Sequence, residues 1–404
     1  MKRTATIFLT VIMTIALLTA CQPSGQSAAS SQSSTAAPAS SDAAGGGTPP
    51  ADTTPIKIGV IAPLSGAGTS YGIGIKQGAE MAIDEINAEG GINGRPVEMK
   101  IVDDATNPAE SVTAIQRLID HEEVDIIVGG WGSSQVLAAI PVSEKSGVPY
   151  IVVGATNAAI TTTDNYWTFA VIKSDDLQAE SLASAAINDM KFERIAIIYD
   201  TNDYGTGNKN SFLGVLQEMG KEPVIIESYK SDDKEFTAQL SKIKAAEPDA
   251  IAVFGTIPGA PAIMIQARNL GIEARFIGTG GLANDQLIDL GGEAAEGTVL
   301  TTYFHEDTNA SAAAFAKALN DKFGSGSDPV RPILSAWEYR TIKQILKPVL
   351  EQVGTDKEAL RSAVKDWRGE IIGFDGELYF NDRYQLEQPS VLIEVKDGKF
   401  VLYQ

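Results

Sequence analysis

Hydrophobic positions along this chain follow two patterns that alternate from Ile56 onward. Short unbroken apolar runs read as buried parallel strands, and longer segments with apolar residues three and four apart read as helices. The first run is Ile56-Lys57-Ile58-Gly59-Val60-Ile61. A loop from Pro63 to Gly72 leads to a helix through Asn87, where Ala79, Ala82, Ile83 and Ile86 keep helical spacing until Gly90-Gly91-Ile92-Asn93-Gly94 stops it. Strands over 97–102, 124–128 and 150–153, with helices over 108–122 and up to Ser146, continue the alternation. The rhythm restarts after Asp175, with helices predicted over 176–190, 207–219, 235–246 and 261–270 and strands over 194–199, 224–229, 250–254 and 275–278. A strand over 297–303, helices over 311–323 and 333–353, and late strands over 374–380 and 390–395 complete the chain. Such alternation predicts an α/β fold built on doubly wound, mostly parallel sheets with right-handed crossovers, and two series predict two sheets.

The first 54 residues break this pattern. Residues 1–20 combine Lys2-Arg3, the apolar run Ile7 to Leu18 and then small residues, the build of a secretion signal. The run is too short to span a bilayer. Leu18-Thr19-Ala20-Cys21 resembles the bacterial lipobox, and Cys21 is the only cysteine in the chain. That resemblance implies cleavage before Cys21 and its acylation, which anchors the mature protein to a membrane outside the cytoplasm. From Gln22 to Thr54 the chain is Ser, Ala, Gly, Thr and Pro with almost no large apolar side chain, too little to bury a core. Residues 21–54 are therefore expected to be a lipidated tether with a reach of about 30 Å.

Composition narrows the function. A net charge of -20 disfavours nucleic acid, whose phosphates are held by Lys and Arg. Two histidines and one cysteine leave little for a zinc site. No nucleophile, base and orienter stand together, so no enzyme activity is expected. Gly66-Ala67-Gly68-Thr69-Ser70-Tyr71 lacks the third glycine of a dinucleotide loop, and no cofactor is expected.

Candidate chemistry concentrates where the apolar run 124–128 ends in Gly129-Gly130-Trp131-Gly132-Ser133-Ser134-Gln135. A buried strand ending in glycines, with serines opening a helix, sets hydroxyls and free backbone N–H groups at one point, a site for an anion. The strand over 150–153 runs into Gly154-Ala155-Thr156-Asn157 and brings a second hydroxyl to the same sheet edge. Together the two turns read as a pocket for a small carboxylate. A serine at a helix start also serves as a cap, and a turn threonine also bonds its own backbone.

Tyr71-Gly72, Lys76-Gln77-Gly78, the run Ile83 to Arg95 and Asp103-Asp104 resemble the leucine/isoleucine/valine-binding proteins, receptors of branched-chain amino acid ABC importers. The likeness continues through Gly132-Ser133-Ser134, Ala155-Thr156-Asn157, Asp200 to Gly205 and Gly292 to Gly297. It implies a two-lobed type I periplasmic-binding-protein fold with three inter-lobe crossings, near 169–175, 298–303 and 372–375. Lobe one is then 55–171 plus 300–372, and lobe two is 172–299 plus 373–404. It also implies Ser133 and Thr156 as ligand contacts with Gly132 and Gly154 beside them, Tyr71 and Tyr204 as aromatic contacts, and an ABC permease as partner. Trp131 stands where the family more usually has a smaller residue, as pocket wall or core. Gly280 stands where amino-acid binders of the family carry a glutamate that pairs with the ligand ammonium. Either another acid, such as Asp203 or Glu306, replaces it, or the ligand is an aromatic or aliphatic carboxylate without an α-ammonium. The expected function is a lipid-anchored solute receptor for a small carboxylate, with a sensor serving a signalling partner as the rival.

Overall fold

The structure, a computed structural model, describes residues 52–162, 164–326 and 330–404. The predicted secretion signal, Cys21 and nearly all of the tether lie outside these residues. No helix among the described residues is long and apolar enough to cross a membrane.

In chain order the first half runs β1 (Ile56–Ala62), α1 (Thr69–Ala88), β2 (Val97–Asp103), α2 (Pro108–Asp120), β3 (Ile126–Gly129), α3 (Ser133–Ser146), β4 (Tyr150–Val152) and β5 (Thr168–Ala170). These strands form an all-parallel sheet in the order β2-β1-β3-β4-β5. Every residue of β3, β4 and β5 is buried, as it must be where helices cover both faces. Local chemistry sets the helix ends. The Asn107 side chain accepts the N–H groups of Ala109 and Glu110 to start α2, and Gly147 ends α3 in the left-handed region at φ 63°.

The second series runs α4 (Asp175–Ser184), β6 (Ile195–Asp200), α5 (Asp203–Glu218), β7 (Ile225–Tyr229), α6 (Thr237–Ala245), β8 (Ala250–Phe254), α7 (Gly259–Asn269), β9 (Arg275–Gly278), α8 (Gln286–Gly291) and β10 (Val299–Thr302). The tail adds α9 (Ala310–Phe323), α10 (Pro332–Arg340), α11 (Lys347–Val353), α12 (Lys357–Lys365), β11 (Arg368–Gly369), β12 (Leu378–Phe380), β13 (Leu386–Glu387), β14 (Val391–Lys396) and β15 (Lys399–Leu402). The second sheet has the order β15-β14-β10-β9-β8-β6-β7, parallel from β10 to β7 and antiparallel where β14 and β15 join. Two mostly parallel sheets, each with its helices, are the two lobes. The predicted helix over 333–353 is α10 and α11 joined through a wider turn at Thr341–Leu346.

Strand pairing moves two expected boundaries. β10 pairs along its length with β14, so Leu300 to Thr302 stay with the second sheet. Strands β11 to β13 form a small sheet of their own, which meets the first lobe through an Ala170–Gln385 bridge and a Phe169–Phe380 ring contact. The third crossing therefore follows Glu387, where a polar residue ties the connections together. Arg340 Nη1 donates to the Tyr303 carbonyl at 3.0 Å and its Nη2 to Gln388 Oε1 at 3.3 Å, while Gln388 Nε2 donates to the Val171 carbonyl at 2.6 Å. Arg340 and Gln388 together thus link all three crossings, and burial lowers the Arg340 pKa to about 9.

Candidate ligand-binding site

The turn after β3 depends on its glycines. Gly129 has φ 113°, and a Cβ there would lie 2.2 Å from the Ile61 carbonyl oxygen. Gly130 has φ 81°, and its Cβ would lie 2.2 Å from the Tyr150 hydroxyl. Only glycine takes these angles at so close an approach. The turn delivers Ser133, buried, to the first position of α3, whose cap residue is Gly132 and offers no side chain. The Ser133 hydroxyl accepts the Asn157 backbone N–H at 3.3 Å and leaves its own proton for another partner. Helix N–H groups, the positive end of the α3 dipole and this hydroxyl converge on one point, the requirement of a carboxylate.

A cavity of about 350 Å³ opens there, between the carboxyl edges of the two sheets. Trp131, Gly132, Ser133, Gly154 and Thr156 line it from the first lobe, and Tyr204, Gly280 and Gly281 from the second. Seven of the eight predicted site residues are thereby brought together. Tyr71, the eighth, stands behind the wall: fully buried, its ring stacks on Trp131 with centroids 3.8 Å apart and planes 23° apart. Its hydroxyl donates to the Gly281 carbonyl at 2.6 Å and accepts the Ile257 N–H at 3.2 Å, both on the other lobe. Trp131 is a wall residue, and Gly154 leaves space for it, since a Cβ there would lie 3.1 Å from the Trp131 Cδ1.

Other polar contacts bridge the lobes. Ser134 Oγ donates to Asp203 Oδ2 at 2.6 Å, Asn157 Nδ2 to the Asp203 carbonyl at 2.8 Å, and Asn284 Nδ2 to Ser70 Oγ at 2.9 Å. Arg331 Nη1 pairs with Asp285 Oδ2 at 3.1 Å. The lobes are closed on each other. Asp203, occupied by Ser134 at the rim, and the exposed Glu306 are not among the wall residues. The acid on the wall is Asp200, whose carboxylate accepts Ser231 Oγ at 2.6 Å and the Asn202 N–H at 3.2 Å.

A second acid lies just behind the wall. Asp175, fully buried at the start of α4, accepts the Thr156 hydroxyl at 2.6 Å and Asn208 Nδ2 at 2.8 Å. Burial, with the neighbouring Asp176 adding repulsion, pushes its carboxyl up from 3.8 to about 7. Asp175 and Asp200 escaped sequence reasoning because an acid at a helix start or strand end ordinarily faces water. The only signal was Ser174-Asp175-Asp176 opening a helix that covers the sheet edge carrying Thr156. Tyr229 and Trp337 also line the cavity, from segments whose sequence carries no site pattern.

A family model described as periplasmic binding protein matches residues 55–399. The chain is 31% identical over 353 residues to a Leu/Ile/Val-binding protein of Rhizobium johnstonii, covering 86% of this chain and 93% of that one. Among solved structures it is similar to a leucine-binding protein from Thermotoga maritima, with 27% identity, a TM-score of 0.79 and coverage of 86% of this chain and 98% of the other. It is also similar to a branched-chain amino acid transporter substrate-binding protein from Streptococcus pneumoniae in complex with isoleucine, with 25% identity, a TM-score of 0.78 and coverage of 86% and 98%.

Proposed function

The chain belongs to the periplasmic binding protein family, and on that premise we propose that it is the extracytoplasmic receptor of an ABC importer, closing its lobes on a small carboxylate. The observation that carries this reading is Ser133 at the first turn of α3, buried, with an uncommitted hydroxyl proton, on the wall of the interlobe cavity. A carboxylate there takes N–H groups of the α3 terminus and the serine proton, while Trp131, Tyr204 and Tyr229 enclose its apolar body. The branched-chain amino acid ligands named for the relatives are of this size and chemistry. The function is capture and release without turnover, Cys21 is the lipid anchor, and the tether holds the lobes within reach of a permease.

Closure follows from where the ligand sits. A ligand touching both walls makes contacts in the closed form that the open form lacks, so binding shifts the population toward closure. The permease then reads the closed surface, on which Ser134 and Asp203 are joined. The test is a thermal-shift screen of the purified protein against branched-chain amino acids, other amino acids, their deaminated counterparts and aromatic carboxylates. A ligand at 100 times its Kd adds about 2.7 kcal/mol and raises the melting temperature. No shift with any carboxylate would remove the reading, and chemical change of a recovered ligand would replace it with an enzyme.

A further inference from the structure

Each of the three segments that cross between the lobes is held at the residue where it leaves its sheet. Val171 directly follows β5, Tyr303 directly follows β10 and Gln388 directly follows β13. All three are buried. The Arg340 fork donates to the Tyr303 carbonyl and to Gln388 Oε1, and the other end of the Gln388 amide donates to the Val171 carbonyl. Arg340 ends α10, which is seated tightly on α1: a Cβ at Gly74 would overlap Leu334 Cβ, and one at Gly78 the Ser335 carbonyl. A wider helical turn, a feature frequent at functional sites, begins at the next residue. Trp337, one helical turn before Arg340 and so on the same face of α10, lines the ligand cavity. One rigid helix thus carries both a cavity wall and the tie between the crossings.

The guanidinium does not neutralise an acid. Among the described residues no carboxylate pairs with it and its Nε has no hydrogen-bond partner, while the Phe374 ring centroid lies 5.4 Å from it. A buried charge without a counter-charge is costly, and an apolar residue of similar volume often serves stability as well. What an apolar residue lacks is a planar fork with fixed donor directions. A crossing left to itself turns at two soft dihedrals per residue, so three independent crossings leave the lobes free to tilt as well as to open. Tied where they leave their sheets, the crossings share one axis. We propose that Arg340 and Gln388 are the pivot of the lobe motion, positioning residues that confine opening and closing to a single path. Neither is among the cavity-lining residues, so the inference does not depend on which small molecule the cavity takes.

The test is double electron–electron resonance on the ligand-free protein, with spin labels at Asp120→Cys on α2 and Glu218→Cys on α5, both exposed, in a Cys21→Ser background. With the clasp intact the distances between lobes should form narrow populations. Arg340→Met removes the charge and every donor, whereas Gln388→Leu frees the crossing at Val171 and leaves the Arg340–Tyr303 bond. In both variants the narrow populations should be lost to a broad continuum of distances. Leu350→Ala, which opens a cavity in the core away from the clasp, should lower the melting temperature and leave the populations narrow. Narrow populations in either folded clasp variant would overturn the inference. So would a broad distribution with the clasp intact, or one in Leu350→Ala as broad as in the clasp variants, since general loss of packing would then explain the effect. If Arg340→Met does not fold, Gln388→Leu decides alone. The measurement uses no ligand, so a thermal-shift screen that finds no carboxylate removes the proposed function and leaves the pivot to be judged on its own.

Discussion

Tyr71→Phe is the sharpest test of how this protein closes. The substitution keeps the ring that stacks on Trp131 and removes one oxygen atom. In the closed form that oxygen donates to the Gly281 carbonyl at 2.6 Å and accepts the Ile257 N–H at 3.2 Å, and Tyr71 is fully buried. Both partners belong to the opposite lobe, so an opened molecule offers them water and the closed variant offers them nothing. Each lost bond is worth about 0.5–1.5 kcal/mol net, and a buried donor or acceptor left unpaired costs about 1–3 kcal/mol. Closure is thereby weakened by about 2 kcal/mol or more, and Kd rises about thirtyfold or more. The loss should appear in the dissociation rate, since closure holds the ligand after it has docked. Stopped-flow binding measures both rates, and small-angle scattering of the saturated protein measures the closed fraction. A variant with Kd within about threefold of wild type, or with the loss confined to association, would refute the assignment of Tyr71 as a closure latch.

Other consequences are read more simply. Ser133→Ala removes a charge-assisted hydrogen bond worth about 1.5–3 kcal/mol, so affinity for a carboxylate should fall at least about tenfold in calorimetry with the fold intact by circular dichroism; unchanged affinity would mean the carboxylate lies elsewhere. Cys21→Ser should move the protein from the membrane to the soluble fraction, and continued sedimentation with membranes would contradict lipidation. Burial raises Asp104 to about 6 and Asp175 to about 7 from 3.8. The folded state therefore holds these protons more tightly than the unfolded chain, and stability present at low pH is lost as pH rises through both values. The melting temperature of the ligand-free protein should rise on going from about pH 7.5 to about pH 5, and Asp175→Asn should flatten the slope; a fall over that interval would contradict it.

The alternation of apolar runs and helical spacing was enough to place most of the strands of both parallel sheets, because a strand covered on both faces must be apolar throughout. The same logic brought out the turn that lines the interlobe cavity: glycines at the end of β3 and serines at the start of α3 are local requirements, written in adjacent residues. Short elements were not legible. β5 has three residues and β11 two, too few to carry a period, and their pairing is decided by partners on other strands such as Tyr150 and Tyr379. The lobe boundaries depended on tertiary pairing for the same reason, β10 being claimed by β14 from nearly a hundred residues downstream.

What the sequence by itself determined is the class of protein and the residues that gather at one sheet edge. What only the tertiary structure decided is the direction of their hydrogen bonds. Tyr71 is equally a wall tyrosine or a latch until Trp131, Gly281 and Ile257 are placed around it. Thr156 is equally donor or acceptor until Asp175 takes its proton. Residue type fixes which groups a side chain carries, but which way each proton points is set by partners brought from other segments of the chain, and that direction is what a ligand meets.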